Sequence, residues 1–352
     1  MKKILPIIVI LFIGLSFSAT AQKKIALQSG NNASFYSTVD SAILNAVNGD
    51  IIYIPGGSYV IASLNINKGI QIFGAGHYPD STSATGQTIL TGDVHINTGA
   101  DNGSLSGCYI LGNVHFGTNA ADQTVNNFGL SRCSMNNLYI SFDGVATSNS
   151  TNLYISENVI RGTTNGGYCI NTLFKKNIMN GQVNNHSSSV FENNIFMLSG
   201  AGCYVYFLNS VNGSVFNNNI FSFGDGGCGT FFFGASGGNV FNNNLFRTAE
   251  NNYFPSGTNI QYNNYFGFVD TDVFSGGTLY SFSYNEDYHM LPSCIAHNGG
   301  NDGTDPGIYG TTDPYKEGAV PANPHIQTKS VAGATNAQGD LNVNIKVAAQ
   351  TE

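Results

Sequence analysis

Tryptophan is missing from this chain and charge is scarce. Only 10 % of residues are Asp, Glu, Lys or Arg, and 13 basic residues face 21 acidic ones. So few cations argue against nucleic acid as a partner, because phosphate binding needs clustered Lys and Arg. The same shortage argues against anionic membrane surfaces. Low charge beside 24 Phe and 18 Tyr is also the opposite of a disordered composition. After Phe17 no apolar run is long enough to span a bilayer, so no membrane insertion is expected. The six cysteines include no CxxC pair and no Cys/His zinc spacing. The seven histidines are dispersed, with no Ser/His/Asp arrangement, and Gly74-Ala75-Gly76 is too short for a nucleotide fingerprint.

The first residues read as an export signal. Lys2 and Lys3 precede the apolar stretch Ile4 to Phe17, and Ala19-Thr20-Ala21 gives a small-x-small cleavage pattern. Cleavage near Ala21 would leave 11 basic against 21 acidic residues, a charge of about −10. No Cys stands at that site, so a lipid anchor is not expected. The expected location is secreted: extracellular, cell-surface or periplasmic. Cysteines in an exported chain permit disulfides.

The middle of the chain repeats itself. Val190 to Phe196 reads VFENNIF, Val215 to Phe221 VFNNNIF and Val240 to Phe246 VFNNNLF, with looser copies around Asn158, Asn177 and Asn264. Anchored on the last Asn of each copy, the spacings are 19, 17, 25, 25 and 20, and two backward steps of 25 reach Cys133 and Cys108. Two residues after each anchor stands an apolar residue, from Ile110 to Phe266. Three before it, only Gln261 is polar. Units this short cannot bury their own apolar face and must stack on neighbours. Propeller blades would need about twice the length. The period therefore predicts an all-β solenoid, a right-handed parallel β-helix, with the anchors forming an inward asparagine ladder at a turn.

The ends fit that architecture. Thr38 to Val47 has helical apolar spacing, with Ser37 or Thr38 as N-cap, and then come GDIIYIPGGSYV and LNINKGIQIFGAG. This stretch, Thr38 to Gly76, resembles the N-terminal cap and first coils of the pectin-lyase-like β-helix superfamily. That resemblance implies the fold with a capping helix, but not an activity, since the superfamily hosts lyases, hydrolases, adhesins and inert scaffolds. Asp302 to Gly310 resembles the closing segment of secreted bacterial β-helix proteins. The expected organisation is a signal peptide over 1–21, an N-terminal cap and β-helix over 22–290, and over 291–352 a C-terminal cap, a Pro-spaced linker and a terminal strand. That strand, Gly339 to Ala349, alternates polar and apolar residues and is expected to dock on the body or pair elsewhere.

Candidate chemistry is sparse. Six residues after their anchors stand Asp225, Glu250 and Asp270 in successive coils. Carboxylates one strand spacing apart, about 5 Å, repel unless a cation binds them or one stays protonated. This column could hold calcium, or serve as an acid/base pair at retaining-glycosidase distance, with Arg247 as basic partner. Members of the resembled superfamily use outer acidic clusters in both ways. A second candidate is an outward aromatic platform for sugar rings, Tyr204, Tyr206 and Leu208 beside Phe231 and Phe233. Arg132, Glu157 and Lys176, one residue before their anchors, read as stacked ion pairs in water. Cys108 with Cys133, and Cys203 with Cys228, stand at equivalent positions, within disulfide reach or as free stacked thiols. The favoured expectation is a non-catalytic secreted β-helix that binds a polysaccharide or cell-surface glycan, or serves as a scaffold. The alternative is a polysaccharide lyase or glycoside hydrolase acting on an acidic polysaccharide. Calcium is the one cofactor the residues suit, and the oligomeric state is left open.

Overall fold

The computed structural model describes residues 24–198, 206–223, 231–247, 258–268, 270–276, 281–316, 320 and 323–349. Each coil from Ile51 to Phe233 is a triangle of three short strands. One complete coil reads Leu173–Lys175, Ile178–Asn180 and Val183–Asn184. The next coil lies beside it in parallel, with Leu173 opposite Val190, Ile178 opposite Ile195 and Val183 opposite Leu208. Stacked coils build three sheets, called A, B and C below, of 12, 10 and 8 strands, the first two strands of A being an antiparallel hairpin, Ile25–Ser29 with Asn32–Tyr36, laid on the first coil. The chain is a right-handed parallel β-helix, as its repeat predicts.

Equivalent positions form columns that run the length of the helix. One inward column of sheet A reads Ile52, Ile72, Leu105, Leu130, Ile155, Phe174, Phe191, Phe216, Phe241. Its phenyl rings stack 4.6–4.7 Å apart. On sheet B, Phe196, Phe221 and Phe246 stack at 4.6 and 4.7 Å. Strand spacing equals a comfortable ring spacing, so a repeated Phe packs on its own copy without rotamer strain.

Sheets A and B meet at a two-residue corner. Its first residue is left-handed at Arg132, Glu157, Lys176, Asn193, Asn218, Asn243 and Asn263, with φ between 51° and 56°. That conformation costs about 1–2 kcal/mol for most residues and least for Asn, which fills the last four. The second corner residue is the anchor. Asn194 Nδ2 donates to Asn219 Oδ1 and to the Phe174 carbonyl, both at 2.9 Å, and its own N–H also reaches Asn219 Oδ1. The same bonds link Asn158, Asn177, Asn194, Asn219, Asn244 and Asn264 in order. Cys133 starts this ladder, its N–H donating to Asn158 Oδ1 at 3.0 Å. Cys108 and Cys133 are buried free thiols. Cys203 and Cys228 lie outside the described residues.

The N-terminal end closes with the helix α1 (Val39–Asn45), which buries Val39, Ala42 and Ile43 and is capped by the Thr38 side chain. Lys68, from the Lys-Gly-Ile segment, donates to the carbonyls of Ile43, Leu44 and Ala46 at 2.7–2.9 Å and so satisfies the far end of the same helix.

The acidic C-terminal region lies over sheet B. The residue after each anchor from Asn158 to Asn244, namely Val159, Ile178, Ile195, Ile220 and Leu245, points away from the solenoid interior. Each packs in a second apolar core with Phe268, Phe274, Tyr288, Ile308 and Tyr315. The following segment then runs back along the A–B corner. Asn243 donates to the Gly299 carbonyl, Asn218 to Asn301 Oδ1 and Asn193 to the Gly307 carbonyl. Further along, Lys176 pairs with Asp313, Glu157 accepts from the Lys316 N–H, and Arg132 donates to the Val320 carbonyl. This corrects the expectation that Glu157 stands in water. Its pair with Arg132 forms, but the returning segment leaves Glu157 only 7 % and Lys176 only 2 % exposed.

The last strand does not join the body. Val343–Ala348 pairs antiparallel with His325–Val331 in a separate hairpin. Among the described residues no helix is long and apolar enough to cross a membrane.

Candidate functional site

With sheet B covered, sheets A and C present long outward faces. On sheet A one outward column reads Tyr53, Phe73, Ser106, Ser131, Ser156, and the column beside it Gln71, Ser104, Gly129, Tyr154. Small residues between Phe73 and Tyr154 leave a recess, three strand steps or about 14 Å long. It is lined by Phe73, Ser104, Ser106, Ser131, Tyr154 and Ser156, with Arg132, Glu157 and Asp313 along the corner side. Phe73 stacks on Tyr53 at 5.9 Å with one face. The next residue in its column on the other side is Ser106, not a ring. Tyr154 is 45 % exposed beside the glycine at 129. On the floor the Ser131 hydroxyl donates to that of Ser106 at 3.1 Å.

The charges at this site are matched within the protein. Arg132 is bound to Glu157 and to the Val320 carbonyl. Asp313 takes Lys316 at 3.1 Å and Lys176 at 3.6 Å. Burial pulls the Lys176 amine below the usual lysine range, with Asp313 opposing the shift. The hydrogen bond from Lys316, aided by the charges of Lys176 and Lys316, holds the Asp313 carboxyl below the usual carboxylate range against partial burial. The recess thus offers ring faces and hydroxyls, with charges already spoken for.

Sheet C carries a different set. His95 and His115 stack 5.0 Å apart at 12°, and Tyr139 follows at 4.9 Å. His95 Nδ1 meets the Gly117 carbonyl at 3.0 Å. Burial, then the neighbouring His95, keeps the His115 imidazole below its ordinary value. Rings stacked on one another turn their edges outward, so this column offers polar edges and not open faces.

The sequence candidates fall as follows. Asp225, Glu250 and Tyr204 lie outside the described residues. Asp270 opens a single 3-10 turn, Asp270–Asp272. Arg247 is half-buried, its N–H donating to the Phe221 carbonyl at 3.1 Å. Tyr206 is 40 % exposed, in register with Phe231. Leu208 and Phe233 correct the outward platform: Leu208 is fully buried, and Phe233 packs against the core with its ring edge-on to Phe241 at 5.7 Å. Both continue the column of Val183, which faces inward. Among the described residues no group of three or more His, Cys, Asp or Glu is arranged to hold a metal ion.

The serine floor of the recess has a counterpart in the sequence, although the gap above it does not. Ser106, Ser131 and Ser156 each stand two residues before an anchor position, 25 residues apart. No known protein-family model matches the chain, and no curated protein is significantly similar to it.

Proposed function

We propose that this is an exported, non-catalytic β-helix of the pectin-lyase-like kind that binds glycan in the recess on sheet A. The observation that carries the reading is the pairing of Phe73 and Tyr154 across a hydroxyl floor. Sugar rings present apolar C–H faces to aromatic rings and hydroxyls to polar groups, and sites of this class combine apolar walls with a few placed polar groups. The signal-like N-terminus supports export. The alternative, a lyase or hydrolase working through Asp225, Glu250, Asp270 and Arg247, predicts turnover.

Affinity electrophoresis and calorimetry of the mature chain against a polysaccharide panel test the reading. Binding without new reducing ends or unsaturated products is expected, and Tyr154→Ala should weaken it about tenfold, the scale of one lost ring contact. Product formation from a bound polymer would transfer the argument to the acidic column. An affinity indifferent to both Tyr154→Ala and Phe73→Ala would remove the recess.

A further inference from the structure

We infer that the recess selects uncharged glycans and turns away polymers that bear uronate or sulfate groups. The inference rests on the glycan-binding reading above and concerns only the charge of the ligand.

An anionic sugar needs a cation whose donors are available, most effectively the bidentate fork of an arginine. The described lining holds one cation, Arg132, against two carboxylates, Glu157 and Asp313. Arg132 is bound to Glu157 and also to the Val320 carbonyl 3.0 Å away. Of the nearby amines, the Lys176 side chain is 3 % exposed and faces Asp313, Lys316 lies 3.1 Å from the same carboxylate, and Lys175, one coil beyond Ser156, stands opposite Glu192. A carboxylate or sulfate entering at the Tyr154 end of the recess would meet the oxygens of Glu157 and Asp313, with the Arg132 guanidinium not released to meet it. Displacing Glu157 from Arg132 would leave a buried carboxylate unpaired, which is strongly unfavourable. The formal charge of −8 over the chain adds a longer-range repulsion, screened beyond about 8–10 Å at physiological salt. A neutral sugar meets none of this. It needs only ring faces and the serine hydroxyls, which can each donate and accept.

The test uses the mature full-length chain with matched pairs of probes: neutral glucan, xylan and galactan polymers, and the carboxymethylated or sulfated derivative of each. Affinities are measured at 50 and 300 mM NaCl. The neutral polymer that binds should do so equally at both salt levels. Its charged derivative should bind at least tenfold more weakly at 50 mM and recover part of that loss at 300 mM. Glu157→Gln, which releases the Arg132 guanidinium, should raise the charged-to-neutral affinity ratio at least fivefold. Glu157 also holds the Lys316 N–H, so a thermal melt accompanies that variant. Asp313→Asn, at an exposed rim position, should move the ratio in the same direction by a smaller factor. Equal or tighter binding of the charged derivative by the unmodified protein overturns the inference while leaving glycan binding intact. So does a ratio that stays fixed in both folded variants. Failure of every polymer, charged or neutral, overturns the glycan reading itself, and this inference with it.

Discussion

Sheets A and B are built from the same coils, one corner apart, yet their outer faces have opposite fates. On sheet B the outward residue after each anchor from Asn158 to Asn244 is aliphatic, and it lies in a second core beneath the C-terminal region. On sheet A the outward column that begins with Tyr53 and Phe73 continues through Ser106, Ser131, Ser156, Lys175, Glu192 and Asn217, and among the described residues no second apolar core lies over it. The difference shows how a solenoid divides its labour. The inner column of each sheet sustains the stack, and the outer column decides whether a face is covered by the chain itself or offered to something else. A covered face must be apolar, because buried polar groups without partners are costly. An offered face must keep its apolar area small or confine it to rings beside a recess.

The largest expected effect comes from placing a charge on the covered face. Ile220 touches the returning segment at Gly307, where the backbone is left-handed at φ 92° and an added Cβ would lie 2.7 Å from Ile220 Cδ1. No water or counter-charge can reach that contact without undocking the segment. Ile220→Asp should therefore cost at least about 4 kcal/mol in denaturant unfolding, the scale of an unpaired buried charge. Proteolysis should then cut within residues 299–320 at native-state concentrations of protease. A variant that kept full stability and protection would show that sheet B does not need its cover.

The inner corner shared by both sheets comes next. Asn219 donates to the Phe191 carbonyl and to Asn244 Oδ1, and its own Oδ1 accepts from the N–H and the side chain of Asn194. Asn219→Ala deletes all four and strands buried donors and acceptors in two coils. About 3 kcal/mol of destabilisation is expected, larger than for any substitution on the outer face of sheet A. Equal effects at the two places would mean that the amide ladder is decoration on a stack held by phenyl rings alone.

These two predictions also locate what was readable in the sequence. The period, the inward Phe and Ile columns and the ladder were visible because stacking forces every coil to repeat them. The cover over sheet B was not legible as such, although Val159, Ile178, Ile195, Ile220 and Leu245 stand beside five consecutive anchors. Two adjacent apolar residues in a strand mean two buried faces, and that was the missed sign. Glu157 and Lys176 were read as solvated because charge patterns report pairing but not what lies on top. The recess was hidden for another reason. It is defined by small residues, Ser104 and Gly129, between larger ones, and a gap carries no chemistry of its own in a linear sequence. Leu208, with Phe233 beside it, was placed outward by strict alternation, which fails where Phe207 and Leu208 are both buried in one strand.

Acid should expose a third difference, between polar groups the stack satisfies and those it merely tolerates. His186 is fully buried, edge-on to Phe174 and Phe191 at 5.1 and 5.3 Å, and among the described residues neither ring nitrogen makes a well-formed hydrogen bond, the Thr164 backbone alone opposing the effect of burial. Burial lowers its pKa from 6.5 to about 3. Burial, with Arg161 nearby, does the same to His77 under the cap. The unfolded chain takes up a proton near pH 6.5 and the folded chain resists until about pH 3. Stability is therefore full above pH 6.5 and falls as pH drops from 6.5 toward 3, by up to about 1.4 kcal/mol per pH unit for each histidine. His186→Leu should make the slope of stability against pH shallower by about one proton over that range, with melts at pH 4.5 as the readout. An unchanged slope would mean that His186 is already protonated in the fold.

The smallest expected effect is the one that isolates the outer face of sheet A. Asn217 lies in the same strand as Phe216 and two residues from Asn219, but points outward and accepts from Asn242 Nδ2 at 2.9 Å. Its neighbours in the column are Glu192 and Asn242, so it bridges a charged and a neutral position without being buried by either. Asn217→Ser replaces the amide acceptor with a shorter hydroxyl, leaves no buried cavity and frees no buried group. Its cost in denaturant unfolding should stay within about 0.5 kcal/mol. Together with Ile220→Asp in the same coil, it measures the two faces against one another within four residues of chain. A loss at Asn217→Ser of the size expected at Ile220 would mean that sheet A is also a covered face, and the recess between Phe73 and Tyr154 would then have to be a seam of the fold and not a place where anything binds.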